Sequence, residues 1–118
     1  MRRHCLRVAT DLLAETLTFA RDTAMTAHTI VTVSPDGKDW REGIRISDAT
    51  PSSNVLRVMH FPGYVDLSWQ ASFGETKLLR YRPDGFTYGQ QGNFQLCVRN
   101  GMCAKVIVLS TGRLRVVI

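Results

Sequence analysis

The stretch Leu6-Arg7-Val8-Ala9-Thr10-Asp11-Leu12-Leu13-Ala14-Glu15-Thr16-Leu17-Thr18-Phe19-Ala20-Arg21-Asp22-Thr23-Ala24 decides how the rest of the chain folds. Leu6, Ala9, Leu13, Leu17, Ala20 and Ala24 recur at spacings of three and four, which places them on one stripe of a helix. Val8, Leu12 and Phe19 widen that stripe, while Arg7, Asp11, Glu15 and Asp22 lie mainly off it. Neither glycine nor proline occurs between Met1 and Val33, so nothing breaks the helix early. The pattern predicts a helix over about residues 3–27 whose apolar stripe packs into a core. It ends near Thr26 to Thr29, where β-branched residues take over.

From about residue 29 to 118 the periodicity changes to that of strands. Thr29-Ile30-Val31-Thr32-Val33 runs into Ser34-Pro35-Asp36-Gly37, where proline presets φ and glycine is free to turn. Gly43 to Ser47 reads as the returning strand. A polar break from Asp48 to Asn54 separates it from Val55-Leu56-Arg57-Val58-Met59. Val65, Leu67 and Trp69 alternate with Asp66 and Ser68. Lys77 to Arg82 leads into a second Pro83-Asp84-Gly85 turn; Phe94, Leu96 and Val98 alternate again. Ala104 to Leu109 forms an apolar strand, and Ser110-Thr111-Gly112 turns into a last one. One helix followed by runs of strands predicts a single α+β domain over 1–118, the helix packed on antiparallel sheets.

A length of 118 residues suffices for one modest core. No stretch approaches the ~20 consecutive apolar residues of a transmembrane helix. The basic N-terminus is not followed by the apolar core of a signal peptide, because Asp11 and Glu15 interrupt it. No glycine-rich phosphate loop, nucleophile elbow or His-Glu-x-x-His helix points to an enzyme. His4, His28 and His60 are scattered and lack metal-site spacing with the three cysteines, so neither metal nor cofactor is expected. Cys97 and Cys103 flank Val98-Arg99-Asn100-Gly101-Met102, a segment able to turn a hairpin. In an exported domain they read as a disulfide, and otherwise as reduced, partly buried thiols.

Fifteen Lys and Arg against ten Asp and Glu give a net charge of +5. After Asp84 no acidic side chain follows, whereas Arg99, Lys105, Arg113 and Arg115 all do. Such a distribution favours a polyanionic partner, although a merely solvated surface gives the same composition.

Three stretches resemble the FimT/GspH family of type IV pilin-like proteins. Residues 12–24, with Ala20-Arg21-Asp22-Thr23-Ala24, look like the family's helix ending in Ala-Arg-Ser-Glu-Ala; Asp22 and Thr23 depart from that motif. Tyr81-Arg82-Pro83-Asp84-Gly85 followed by Phe94-Gln95-Leu96-Cys97 is similar to its Pro-Asp-Gly turn and Phe-x-Leu-Cys strand. Val106-Ile107-Val108-Leu109-Ser110-Thr111-Gly112-Arg113-Leu114-Arg115 resembles its closing segment.

The resemblance implies a helix on two small antiparallel sheets, and a periplasmic location at the inner membrane or in a pilus. It implies contact with other pilins through the N-terminal helix. Family members carry a prepilin cleavage site and a membrane-spanning start; their absence here leads us to expect an N-terminally truncated, soluble version of a membrane-anchored protein. FimT-like members are associated with DNA uptake in natural transformation through a Gly-Arg-x-Arg tail, which Gly112-Arg113-Leu114-Arg115 matches. GspH-like members are structural pseudopilins of type II secretion.

Alternation puts Arg113 and Arg115 opposite Leu114, Val116 and Ile118, so burial of that apolar face would leave both guanidiniums outward. Planar, permanently charged groups so spaced suit the phosphates of one DNA backbone. Gly112 lets the chain turn sharply, and Lys105 and Arg99, on the preceding hairpin, are candidates to extend the patch. The plain alternative is a set of edge-strand charges that deter aggregation. Trp40, Trp69, Tyr64, Tyr81 and Tyr88 are distant in sequence from the tail, so phosphate contact without base stacking is expected.

Overall fold

The computed structural model describes residues 2–49, 54–73, 77–99 and 101–118. Helix α1 spans Arg2–Ala27. Eight strands follow: β1 Val31–Pro35, β2 Ile44–Asp48, β3 Val55–Met59, β4 Val65–Phe73, β5 Leu79–Tyr81, β6 Gln91–Val98, β7 Cys103–Val108 and β8 Leu114–Val117. They form two four-stranded antiparallel sheets, ordered β3-β2-β1-β5 and β4-β6-β7-β8. The fold is therefore α+β, with one N-terminal helix packed on two antiparallel sheets.

The helical stripe is the centre of the core. Leu6, Ala9, Leu13, Leu17, Ala20 and Ala24 are buried against Val31, Val33, Leu79 and Tyr81 of the first sheet and Phe94, Leu96, Val106 and Val108 of the second. Small residues at Ala9, Ala20 and Ala24 let the backbones approach, while the leucines fill the space between sheets. Burial of a leucine side chain contributes roughly 1.5–3 kcal/mol, so this stripe dominates the docking of the helix. A short 3-10 turn at Trp40–Glu42, not anticipated from sequence, begins at Asp39, whose carboxylate accepts from the Arg41 amide. It lowers Trp40 onto Phe94, edge to face at 5.1 Å, and Trp69 packs on the same ring.

The flank of the helix differs from expectation. Val8 and Leu12 are exposed, and Phe19 is half-covered by the Arg57 guanidinium, 3.9 Å above its ring and paired with Glu15. The sheets cover the stripe and the Thr10 and Thr16 side of the helix, whereas Val8 and Leu12 line an open cleft with Phe61, Pro62 and Tyr64. Among the described residues no helix is long and apolar enough to cross a membrane.

Candidate nucleic-acid interface

The face presented by the second sheet follows from its register. Ala104, Val106 and Val108 are buried toward the helix, so Cys103, Lys105 and Ile107 point the other way. Ile107 lies opposite Arg115 and Lys105 opposite Val117, and opposed residues of an antiparallel ladder share a face. Arg113, two residues before Arg115, is exposed as well. Arg115 and Lys105 thus stand on one outward surface, and Arg113, exposed at the start of the strand, lies at its border beside Leu17, Thr18 and Arg21 of the helix. The two arginine Cα atoms are about 7 Å apart along the strand, and Lys105 is about 7–8 Å from Arg115 on the diagonal. Lys105 also lies opposite Gln95, whose amide accepts from Gln70 at 3.2 Å, so the surface continues as an uncharged polar floor.

Arg99 is exposed at the tip of the β6–β7 hairpin, where Val98 and Met102 close the loop with a 2.9 Å backbone hydrogen bond. Just inside the tip, Cys97 and Cys103 form a cross-strand pair joined by a disulfide, Cα to Cα 4.1 Å. Arg99 is therefore anchored to the same hairpin as Lys105, but beyond it rather than beside the arginine pair. Cys5 is a free thiol on the helix.

Gly112 is placed differently from its neighbours. It is buried, with φ +86°, and lies so close to the Gly85 carbonyl that a Cβ would overlap it. Arg21 completes the junction: its Nε donates to the Gly85 carbonyl at 2.9 Å and its Nη2 to the Thr111 carbonyl at 3.4 Å. The Leu109 carbonyl accepts from the Gly112 amide at 2.8 Å, closing the turn that launches β8. Gly112 shapes the turn; it is the arginine after it that reaches solvent.

The apolar face of β8 is not buried as its alternation suggested. Leu114 is half-buried, but Val116 and Ile118 are exposed. β8 is the edge of its sheet and the helix covers only its start, so beyond Leu114 nothing among the described residues lies over that face. The outward direction of Arg115 comes instead from its register with Ile107, and Arg113 follows by alternation.

Charge pairing distinguishes these cations from four other arginines. Arg41 pairs with Asp39, Arg45 with Asp36, Arg57 with Glu15 and Arg82 with Asp84, at 2.7–3.3 Å. Among the described residues Arg99, Lys105, Arg113 and Arg115 have no carboxylate within ion-pair distance. One histidine does have a partner that sequence spacing hid: His60 Nε2 lies 2.8 Å from Asp36, and with Arg45 it holds that carboxyl below its ordinary pKa.

Two sheets braced by a single N-terminal helix, closed by a basic edge strand, define a pilin-type subunit. The solved structures agree on the fold. The type IV minor pilin FimU of Pseudomonas aeruginosa superimposes with a TM-score of 0.76 at 20% identity, over 98% of this chain and 90% of that one. The minor pseudopilin EpsH of the Vibrio cholerae type 2 secretion system gives 0.75 at 9% identity, covering 95% of each chain. No curated protein sequence matches the chain. Residues 9–112 match the family model of the type II transport protein GspH, and the chain belongs to that family of minor pilins and pseudopilins. The match ends at Gly112, just before the two tail arginines.

Proposed function

We propose that this minor pilin binds DNA non-specifically through the outward basic surface of its second sheet and contributes to DNA uptake in natural transformation. The observation that carries this reading is the exposed set Arg113, Arg115 and Lys105 at the β7–β8 edge, none of them ion-paired among the described residues. An unneutralised cluster at an edge strand raises the local potential for a polyanion, and guanidiniums at strand spacing suit neighbouring phosphates. Arg99, tethered through the Cys97–Cys103 hairpin, extends the surface at its far end. No catalytic step belongs to this function; the protein holds a polymer. In this reading the domain works at the periplasmic face of the inner membrane or in a pilus, and the exposed helix flank at Val8 and Leu12 meets other pilins.

A gel-shift titration of the purified protein tests the proposal. Wild type should retard DNA in a salt-sensitive manner, and R113Q/R115Q should not. Absence of salt-sensitive retardation by wild type would leave the structural reading, a subunit of a pilus or pseudopilus with no DNA role. The helix flank and the family match alone favour that second reading.

A further inference from the structure

The segment before β6 carries two exposed aromatic side chains, and the fold sets them beside the tail. Tyr81 and Thr87 pair across a short hairpin, and both are buried. Their neighbours therefore face outward: Arg82 opposite Phe86, its amide donating to the Phe86 carbonyl at 2.7 Å, and Arg80 opposite Tyr88, whose amide donates back at 3.3 Å. Phe86 is 44% exposed and Tyr88 48%. Asp84 neutralises Arg82, whereas Arg80 has no ion-pair partner among the described residues.

The other edge of this hairpin abuts the turn that launches β8. The Thr87 amide and hydroxyl both donate to the Ser110 carbonyl, at 3.0 and 3.2 Å, and Gly85 packs directly on Gly112. Phe86 and Tyr88 flank Thr87, so the segment that carries both rings is hydrogen-bonded to the turn before Arg113, and Tyr88 lines a cleft with Arg80, Thr32 and Asp48 on the first sheet. Sequence separation concealed this, since more than twenty residues intervene.

Single exposed hydrophobic residues are ordinary on a protein surface. Two exposed aromatic rings opposite guanidiniums, on a segment bonded to the turn before Arg113, match what single-stranded nucleic acid requires: π-faces for unstacked bases and charges for the backbone. A duplex keeps its bases stacked inside and offers such rings nothing. Resting on the DNA-binding reading above, we propose that Phe86 and Tyr88 are base-stacking positions, and that the ligand held best is single-stranded DNA with its phosphates on Arg80, Arg113 and Arg115.

Fluorescence anisotropy on the purified protein tests this with three probes of equal length: a single strand, the same strand with abasic sites, and a duplex. F86A/Y88A should weaken single-strand binding by about tenfold or more while leaving the abasic strand and the duplex unchanged. F86W/Y88W should retain single-strand affinity. F86L/Y88L, which keeps bulk without an aromatic face, should behave as the alanine pair does and serves in its place if that pair fails to fold. Wild-type affinity of the leucine or alanine pair for the single strand overturns the stacking proposal; if R113Q/R115Q still abolishes binding, the phosphate-contact reading stands without it. Equal loss on all three probes likewise overturns stacking, because it marks a general disturbance of the basic surface. If wild type binds none of the probes, both readings fall together.

Discussion

Gly112 rests against the carbonyl of Gly85, leaving no space for a side chain, and Arg21 bonds that same carbonyl. The three stretches that carry the family resemblance thus converge: the Ala-Arg helix end, the Pro-Asp-Gly turn and the Ser-Thr-Gly-Arg turn make one junction. It ties the helix to the starting point of β8 and so to the placement of Arg113.

Substitution of this glycine has a definite expected cost. Gly112→Ala combines a Cβ overlap with a left-handed φ, and the backbone conformation alone costs about 1–3 kcal/mol for a non-glycine residue. The urea midpoint should fall accordingly, and DNA affinity should fall with it as β8 shifts. Gly63, where a Cβ would meet nothing, provides the control: Gly63→Ala should leave the midpoint nearly unchanged.

Leu17 is fully buried between the sheets. Leu17→Ala should cost about 2–5 kcal/mol, the range for a large-to-small core change. Leu12→Ala, on the exposed flank of the same helix, should cost well under half of that. Equal losses from the two variants in denaturant titrations would contradict the described packing.

The helical stripe was legible because its period is local: every member of the Leu6-to-Ala24 series lies within one element. Strand order and the outward direction of Lys105 were not, because register between strands depends on partners far apart in sequence. The burial expected of Val116 and Ile118 failed for a related reason. Alternation reports which residues share a face, but it does not say whether anything covers that face. More than twenty residues separate Phe86 and Tyr88 from the tail, and only the Thr87–Ser110 and Gly85–Gly112 contacts bring their segment against its turn. His60 and Asp36, twenty-four residues apart, likewise met only in the fold.

The disulfide gives a measurable stability term. Closing a loop with a sequence separation of 6 removes denatured-state entropy, worth about 2 kcal/mol in the chain-entropy treatment. Mass spectrometry of alkylated, unreduced protein recovered from periplasm should find Cys5 modified and Cys97 and Cys103 protected. C97S/C103S should unfold at lower denaturant, and two free thiols at these positions in the exported protein would contradict the pairing.

Acid sensitivity should involve Asp36. His60, foremost, and then Arg45 hold its carboxyl below the ordinary value of 3.8 against an opposing effect of burial. The stability it contributes is present above that value and is lost as pH falls through the lower folded-state pKa. Urea midpoints should therefore drop on acidification below about pH 4, and Asp36→Asn should show a shallower drop across that window. An identical pH profile in the variant would assign the acid sensitivity to other carboxylates.

The salt dependence of DNA binding distinguishes Arg113, Arg115 and Lys105 from the ion-paired arginines. Each phosphate contact releases counterions, so its loss should lower the slope of log K against log salt by roughly 0.7–0.9. Arg113→Gln and Arg115→Gln should each produce that change, and the double variant should abolish detectable binding. Lys105→Gln should reduce the slope similarly, because the same sheet face carries it. Arg41→Gln, whose guanidinium is already occupied by Asp39, should not. Thermal stability should stay nearly constant in the tail variants, since exposed charges add little to folding. Shuffled sequences of equal composition should bind alike, because phosphate contacts carry no direct sequence information and stacking tolerates any base. A double variant that binds as tightly as wild type would move the contact surface away from β8 and make Arg99 and Lys105 the next residues to test.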